Sequence, residues 1–249
     1  SFVTNLLVAS VVRYAGCMTA RPRTPISRRE RPAKAALTRE GIVATAVAVM
    51  RAEGLEKMTM RRLAQELDTG PASLYVYVAN TAELHAAVLD ELLGEVDLDP
   101  AEGRGDWRER LAGVLTSYMQ VLFEHPALAR SALTARPAGG HYLRLLERLL
   151  ALLTEGGVPP MQAAWGVDVL LQFATATAAE QSTREQSPEA EDEWDALTRA
   201  VHGVSEKTHP HLHALAGSLL GGSPEDRMSW CFRMLINGIS HTPTAGTDS

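Results

Sequence analysis

A chain of 249 residues allows one small domain and one larger one. Its two cysteines, Cys17 and Cys231, exclude a disulfide framework and fit a reducing cytoplasm. The formal net charge of −6 taken whole argues against nucleic acid, but its distribution argues the other way. Residues 18–81 carry eleven Lys/Arg against six Asp/Glu, a net +5, and residues 82–249 carry twelve against twenty-four, a net −12. A basic head on an acidic body gathers attraction for phosphates into one region and repels them elsewhere.

Residues 1–36 read as a leader and a basic arm. The apolar run Leu6–Val12 is too short to span a membrane, and its flanks are wrong for a secretion signal: no basic residue precedes it and Arg13 follows. Tyr14-Ala15-Gly16-Cys17 is only faintly similar to a lipoprotein cleavage site, and Met18 is the expected natural start. Beyond it, Arg21, Arg23, Arg28, Arg29, Arg31 and Lys34 alternate with prolines. This segment is either an arm tracking the DNA backbone or minor groove, or a solvated tail.

From Leu37 the pattern is helix, turn, helix, turn, helix. Thr38 can cap a helix with the stripe Ile42, Val43, Ala46, Val49 and Met50, closed by Gly54. Thr59 can cap the next, where Leu63 and Leu67 recur at i, i+4 beside the small Ala64. Asp68-Thr69-Gly70 makes the turn, with Gly70 free to adopt a left-handed conformation. Pro71 suits the first turn of a second helix that buries Leu74 and Val78 and leaves Ala72, Ser73, Tyr75 and Tyr77 outside. A helix entering the major groove needs small or hydroxylated residues near its start and donors aimed at phosphates. Asn80-Thr81-Ala82-Glu83 is a capping-box pattern opening an amphipathic helix that runs to about Val96.

The pattern Thr-x-Arg-x-Leu-Ala-x-x-Leu at Thr59–Leu67, the short turn, the Ser73-Leu74-Tyr75 helix and Asn80-x-x-Glu83-Leu84 together resemble the TetR family of bacterial transcriptional repressors. The resemblance covers Leu37 to about Leu93 and implies a DNA-reading head over 37–83. Arg61 is expected to read guanine, because its fork matches the N7 and O6 acceptors. Ala72 and Ser73 would face bases, Thr59, Tyr75 and Tyr77 would hold phosphates, and Pro71 belongs to the same DNA-binding set. The family often carries a lysine at the position of Thr81, so one phosphate contact is absent here.

After Asp106 the chain reads as helical throughout, a body over 84–241 with a tail at 242–249. Trp107, Leu111, Val114, Leu115, Tyr118, Leu122 and Phe123 form a helix-period stripe ending at His125-Pro126. A short helix to about Thr134, one over His141–Leu153 and a long one from Pro160 through Ala179 follow. Ser182–Asp195 is acidic and reads as a solvated loop entering a helix. Helices near Asp195–Val201, Pro210–Leu220 and Pro224–Ser240 finish an all-α chain.

Arg136-Pro137, Tyr142, the Gly156-Gly157 helix end, Gln172-Phe173 and His209-Pro210-His211-Leu212 resemble the tetracycline-repressor type of ligand-binding domain. That resemblance implies a homodimer through a four-helix bundle and a small-molecule effector of unknown identity. The implied pocket residues are Arg136, Pro137, Tyr142, Trp165, Gln172 and Phe173. Small residues such as Ala163, Gly166 and Ala174 suit close helix packing, within a subunit or between two. Ala132 stands where the tetracycline repressor has a metal-ligating histidine, and Gln172 where it has a pocket histidine, so magnesium–tetracycline recognition is not carried over.

His209, His211 and His213 could suggest a metal, but Pro210 starts a helix, only the end pair could share its face, and no carboxylate or cysteine completes a set. No phosphate loop, nucleophile elbow or HExxH motif is present. The expectation is a cytoplasmic, dimeric, ligand-responsive regulator of a double-stranded DNA operator, most simply a repressor, with no membrane partner, metal or cofactor. Two competitors are an adaptor binding protein through its head and an all-helical enzyme with a buried titratable pair.

Overall fold

Every regular element among the described residues (36–100, 105–133 and 137–244 of the computed structural model) is a helix. The leader and basic arm through residue 35, Arg136 and residues 245–249 lie outside that set.

Helix α1 (Arg39–Glu53) begins where Thr38 Oγ1 accepts from the Gly41 N–H at 3.0 Å. It ends at Gly54, whose φ of 91° lets its N–H return to the Met50 carbonyl at 2.8 Å. A 3-10 turn, Leu55–Lys57, leads to α2 (Met60–Glu66), then α3 (Pro71–Leu74) and α4 (Thr81–Leu92), whose last turn tightens to 3-10 over Leu93–Glu95. Ile42, Leu63, Leu74, Val78 and Leu84 are wholly buried and form the centre of this trihelical unit.

The body contains α5 (Trp107–Glu124), α6 (Pro126–Ala132), α7 (Gly140–Glu155), α8 (Pro160–Glu185), α9 (Ala190–His202), α10 (Pro210–Leu220) and α11 (Pro224–His241). Asp106 opens α5 by accepting two backbone N–H bonds, and Ser223 opens α11 by accepting one. Helices α5, α7 and α8 close on Leu111, Leu115, Leu145, Leu149, Leu152 and Leu170, all fully buried. Each such leucine contributes about 1.5–3 kcal/mol relative to exposure. Exposed pairs such as Arg184–Glu180, at 2.7 Å, contribute only a few tenths of a kcal/mol, so packing holds the body together.

Two close approaches need glycine: a Cβ at Gly156 would enter the Trp107 ring, and one at Gly166 would lie 2.7 Å from Ile239 Cγ2 on α11. Helix α6 lies on α8 and α4, and α9 packs with α10. No helix among the described residues is long and apolar enough to cross a membrane.

Within the acidic stretch the loop is shorter than its reading: only Gln186–Glu189 lie between helices, and the helix it enters starts at Ala190 instead of near Asp195. Helix α8 continues to Glu185, and within it the buried Ser182 hydroxyl is satisfied by the Ala178 carbonyl at 2.6 Å. Arg184 and Gln181 add i, i+4 bonds to Glu180 and Glu185. Glu191, Asp192 and Glu193 form the first turn of α9, where the positive end of the helix dipole favours carboxylates.

Candidate functional site

The turn between α2 and α3 is made differently from the reading of Gly70. Gly70 is extended, at φ −83° and ψ 144°, and the left-handed residue is Asp68, at φ 48°. Asp tolerates this conformation because its short side chain hydrogen-bonds locally. The Asp68 N–H bonds the Gln65 carbonyl at 3.1 Å and the Thr69 N–H bonds the Ala64 carbonyl at 2.8 Å, the paired closure of a helix end.

Helix α3 is a single turn, prolonged by bonds from the Tyr77 and Val78 N–H groups to the Leu74 carbonyl. Leu74 and Val78 anchor it. Pro71, Ala72 and Ser73 are exposed, with Tyr75 at 52% and Tyr77 at 36%. Val76, between the tyrosines, is 79% exposed and was not singled out by the sequence pattern. The signal was available: with 74 and 78 buried one turn apart, 76 must face away from the core.

The two arginines of α2 differ. Arg62 donates to Glu53 on α1 and to Glu66 on its own helix, whereas exposed Arg61 has no ion-pair partner among the described residues. Thr59 is exposed and its Oγ1 accepts from the Arg62 N–H at 3.2 Å. At the start of α4, Asn80 Oδ1 accepts from the Glu83 N–H at 2.8 Å. Glu83 reaches back to the Ala79 N–H at 2.7 Å, one residue earlier than in the usual box.

In the body, a crevice of about 180 Å³ is lined by Leu89, Tyr118, Ala132, Leu133, Pro137, Tyr142, Asp168, Leu171, Gln172, Thr175 and Ala176. Of the sequence-derived pocket residues, Pro137, Tyr142 and Gln172 meet here, and Arg136 lies outside the described residues. Trp165 does not: it sits two turns before Gln172 on α8, about 10 Å along the axis, and is 58% exposed. Phe173, one residue past Gln172, turns to α11 and meets the Phe232 ring edge-on at 5.9 Å and 79°.

Asp168 and Thr175 went unnoticed in the sequence, although they share a helix face with Gln172. Tyr118 could be placed only by the fold. Its hydroxyl lies 2.7 Å from Thr175 Oγ1, both groups being buried, and burial pushes its pKa up to about 12.

The three late histidines do not converge: His209 Nδ1 faces Thr208 Oγ1 at 2.9 Å and His213 Nδ1 faces the Val204 carbonyl at 3.2 Å. Glu95, Glu124 and His125 do bring ligand-type atoms within 4.8 Å of one another. Arg51 ion-pairs with Glu95 and offsets one of the two carboxylates.

Elsewhere on the body, Met161, Trp165 and Val169 on α8 and Trp230 and Met234 on α11 are exposed. Trp165, Val169 and Met234 line one shallow groove.

Two family models match this chain: "bacterial regulatory proteins, tetR family" over residues 42–88, and "tetracyclin repressor-like, C-terminal domain" over residues 99–242. The crystal structure of a candidate transcription regulator from Streptomyces coelicolor is 63% identical, with a TM-score of 0.72, covering 86% of this chain and 99% of that one. Streptomyces coelicolor ActR, solved in complex with actinorhodin, is 37% identical, with a TM-score of 0.71 and coverage of 82% and 96%. An HTH-type transcriptional regulator of Saccharopolyspora erythraea is 33% identical over 124 residues, 50% of this chain and 52% of that protein. The chain thus spans about half the length of that curated relative.

Proposed function

The chain belongs to the TetR family of bacterial regulatory proteins, and from that premise we propose that it is a ligand-responsive transcriptional regulator, a repressor released from its operator by a small molecule. The observation that carries this reading is the segment Pro71–Tyr77, exposed except for Leu74, anchored by buried Leu74 and Val78 beside an exposed Arg61 that has no ion-pair partner among the described residues. The head is residues 37–83, the body 84–241 and the tail 242–249.

Arg61 reads a guanine, and Ala72 and Ser73 face bases from the start of α3. Val76 meets a thymine methyl, an apolar partner for an exposed apolar side chain. Thr59, Tyr75 and Tyr77 hold phosphates and set register. The operator is double-stranded DNA, which assigns the protein to the cytoplasm.

Two heads are needed to read a two-fold site, and the exposed face of α8 and α11 supplies the dimer contact. The effector enters the crevice beside Pro137, Tyr142 and Gln172. At about 180 Å³ the crevice is smaller than a typical ligand pocket, so it opens as the ligand enters. Opening favours a head spacing that no longer matches successive major grooves, a shift of population between two states.

The test is fluorescence anisotropy of the full chain against DNA flanking its own gene, with scrambled DNA alongside, at two salt concentrations. Specific binding separated from the scrambled control by about a thousandfold is expected. Failure of flanking DNA and of genome-wide selected fragments to exceed that control would overturn the reading.

A further inference from the structure

The last turn of α4 and the first turn of α7 meet through one side chain. Asp90 Oδ1 accepts the Tyr142 N–H at 2.9 Å, and Oδ2 accepts the His141 N–H at 3.5 Å. These are the bonds a helix normally takes from its own N-cap side chain. Helix α7 has Gly139 at that position and no side chain to offer. A Cβ at Gly139 would run into the Asp90 carboxylate, so glycine is what admits the contact.

One partner of the contact lines the crevice, and the other lies one residue from its wall. Leu89, next to Asp90, lines it from α4; Tyr142, whose amide is bound, lines it from α7; Pro137 lines it just before the glycine. At its other end α4 starts at Asn80 and Thr81, directly after the reading segment, and the Asn80–Glu83 bonds fix that junction. A helix of twelve residues is a stiff rod about 18 Å long. It joins the crevice wall to the head.

We propose that Asp90 is a positioning residue for induction: by capping α7 from α4 it ties the crevice wall to the helix that carries the reading head. An occupant that displaces Tyr142 or the segment before α7 then moves α4 as well. The inference rests on the regulator reading above. A cap needed only for the stability of α7 can come from a residue at 139. Taking it from α4 makes the position of α4 a condition of the cap, which gives two sites a shared equilibrium.

The test uses the full chain and the fragment selected from its flanking DNA. Ala176→Phe fills the crevice in place of an effector. It is expected to change fragment affinity about tenfold in the parent chain, within the usual range of allosteric coupling, and by less than about twofold when combined with Asp90→Ala. Asp90→Asn keeps an acceptor oxygen and restores the response. Equal responses with and without Asp90, no response included, overturn the inference; loss of a purely structural cap would lower the melting temperature and leave that response intact.

Amide exchange gives a second measure that needs no Asp90 variant. Protection of His141 and Tyr142 is expected to differ between free and DNA-bound protein, and unchanged protection in bound protein overturns the inference even if Asp90→Ala does not fold. Absence of fragment binding above scrambled DNA is a different failure: it removes the regulator reading, and this inference with it.

Discussion

The guanidinium of Arg62 lies against the carboxylate of Glu53, Nη2 donating at 2.6 Å and Nε at 3.1 Å, while Nη1 donates to Glu66 at 2.7 Å. The end of α1 is thereby fastened to α2. The adjacent Arg61 has no comparable anchor among the described residues. One arginine sets the angle between the two helices, and its neighbour is left to reach outward.

The Arg62 hydrogen bond holds the Glu53 carboxyl below its ordinary pKa. A lowered folded-state value means that the unfolded chain binds the proton first as pH falls. The stabilisation is therefore complete above the ordinary glutamate range and is lost as pH drops through the lowered value. Urea midpoints from pH 6 to pH 3 should show the gap between the parent chain and Glu53→Gln closing on the acid side. A gap independent of pH would refute this origin.

Arg61→Ala should cost about 1–3 kcal/mol of discrimination at one base pair. Tyr75→Phe should weaken binding by a similar factor on every sequence, since a phosphate contact carries no base information. Competition titrations against single-substitution operators separate the two. Equal losses across all sequences for Arg61→Ala would remove it from base reading.

Caps and breakers made the head legible. Thr38, Thr59 and Asn80 each accept the backbone bond their position implies, and Gly54 ends α1 at positive φ. The left-handed turn was harder, because Asp68 takes it at a position where Gly70 looks better suited. In the acidic run the loop-to-helix order was legible but not the boundary, because charge alone does not distinguish a loop from the first turn of a helix, and α9 already uses Glu191, Asp192 and Glu193 in that turn. Residue type likewise cannot separate pocket from core or open surface: Gln172 borders the crevice, Phe173 packs on Phe232 and Trp165 lies outside. Asp90 was beyond reach, since its partners at 141 and 142 are about fifty residues away and meet it only through the packing of α4 on α7.

Tyr118 offers a readout at the crevice itself. Its hydroxyl is buried against Thr175 and titrates at about 12, raised above the free value of 10.0 chiefly by burial. The raised folded-state value means that the unfolded chain ionises first. The contribution is complete below pH 10 and is lost as pH rises through 12, on the order of 3 kcal/mol in all. Tyr118→Phe should remove that alkaline loss. At neutral pH it should cost about 1–3 kcal/mol by leaving the Thr175 hydroxyl without its partner. An unchanged alkaline limb in denaturant melts would count against this assignment.

The exposed face of α8 and α11 decides whether the regulator works as a pair. Trp165 and Trp230 are each 58% exposed, and Trp165 shares one groove with Val169 and Met234. Exposed apolar side chains gathered in one groove suit a contact with a second copy. Trp165→Glu places a charge where the second copy would pack, yet removes nothing from the core of its own subunit, because the indole is largely in solvent already. Sedimentation velocity should therefore report a species of one chain, 26.9 kDa, that still gives a helical circular dichroism spectrum. Operator affinity should fall by about a hundredfold or more, because two unlinked heads lose the effective concentration that a dimer supplies. A variant that sediments as the parent does, with operator affinity intact, would place the dimer contact on another face of the body.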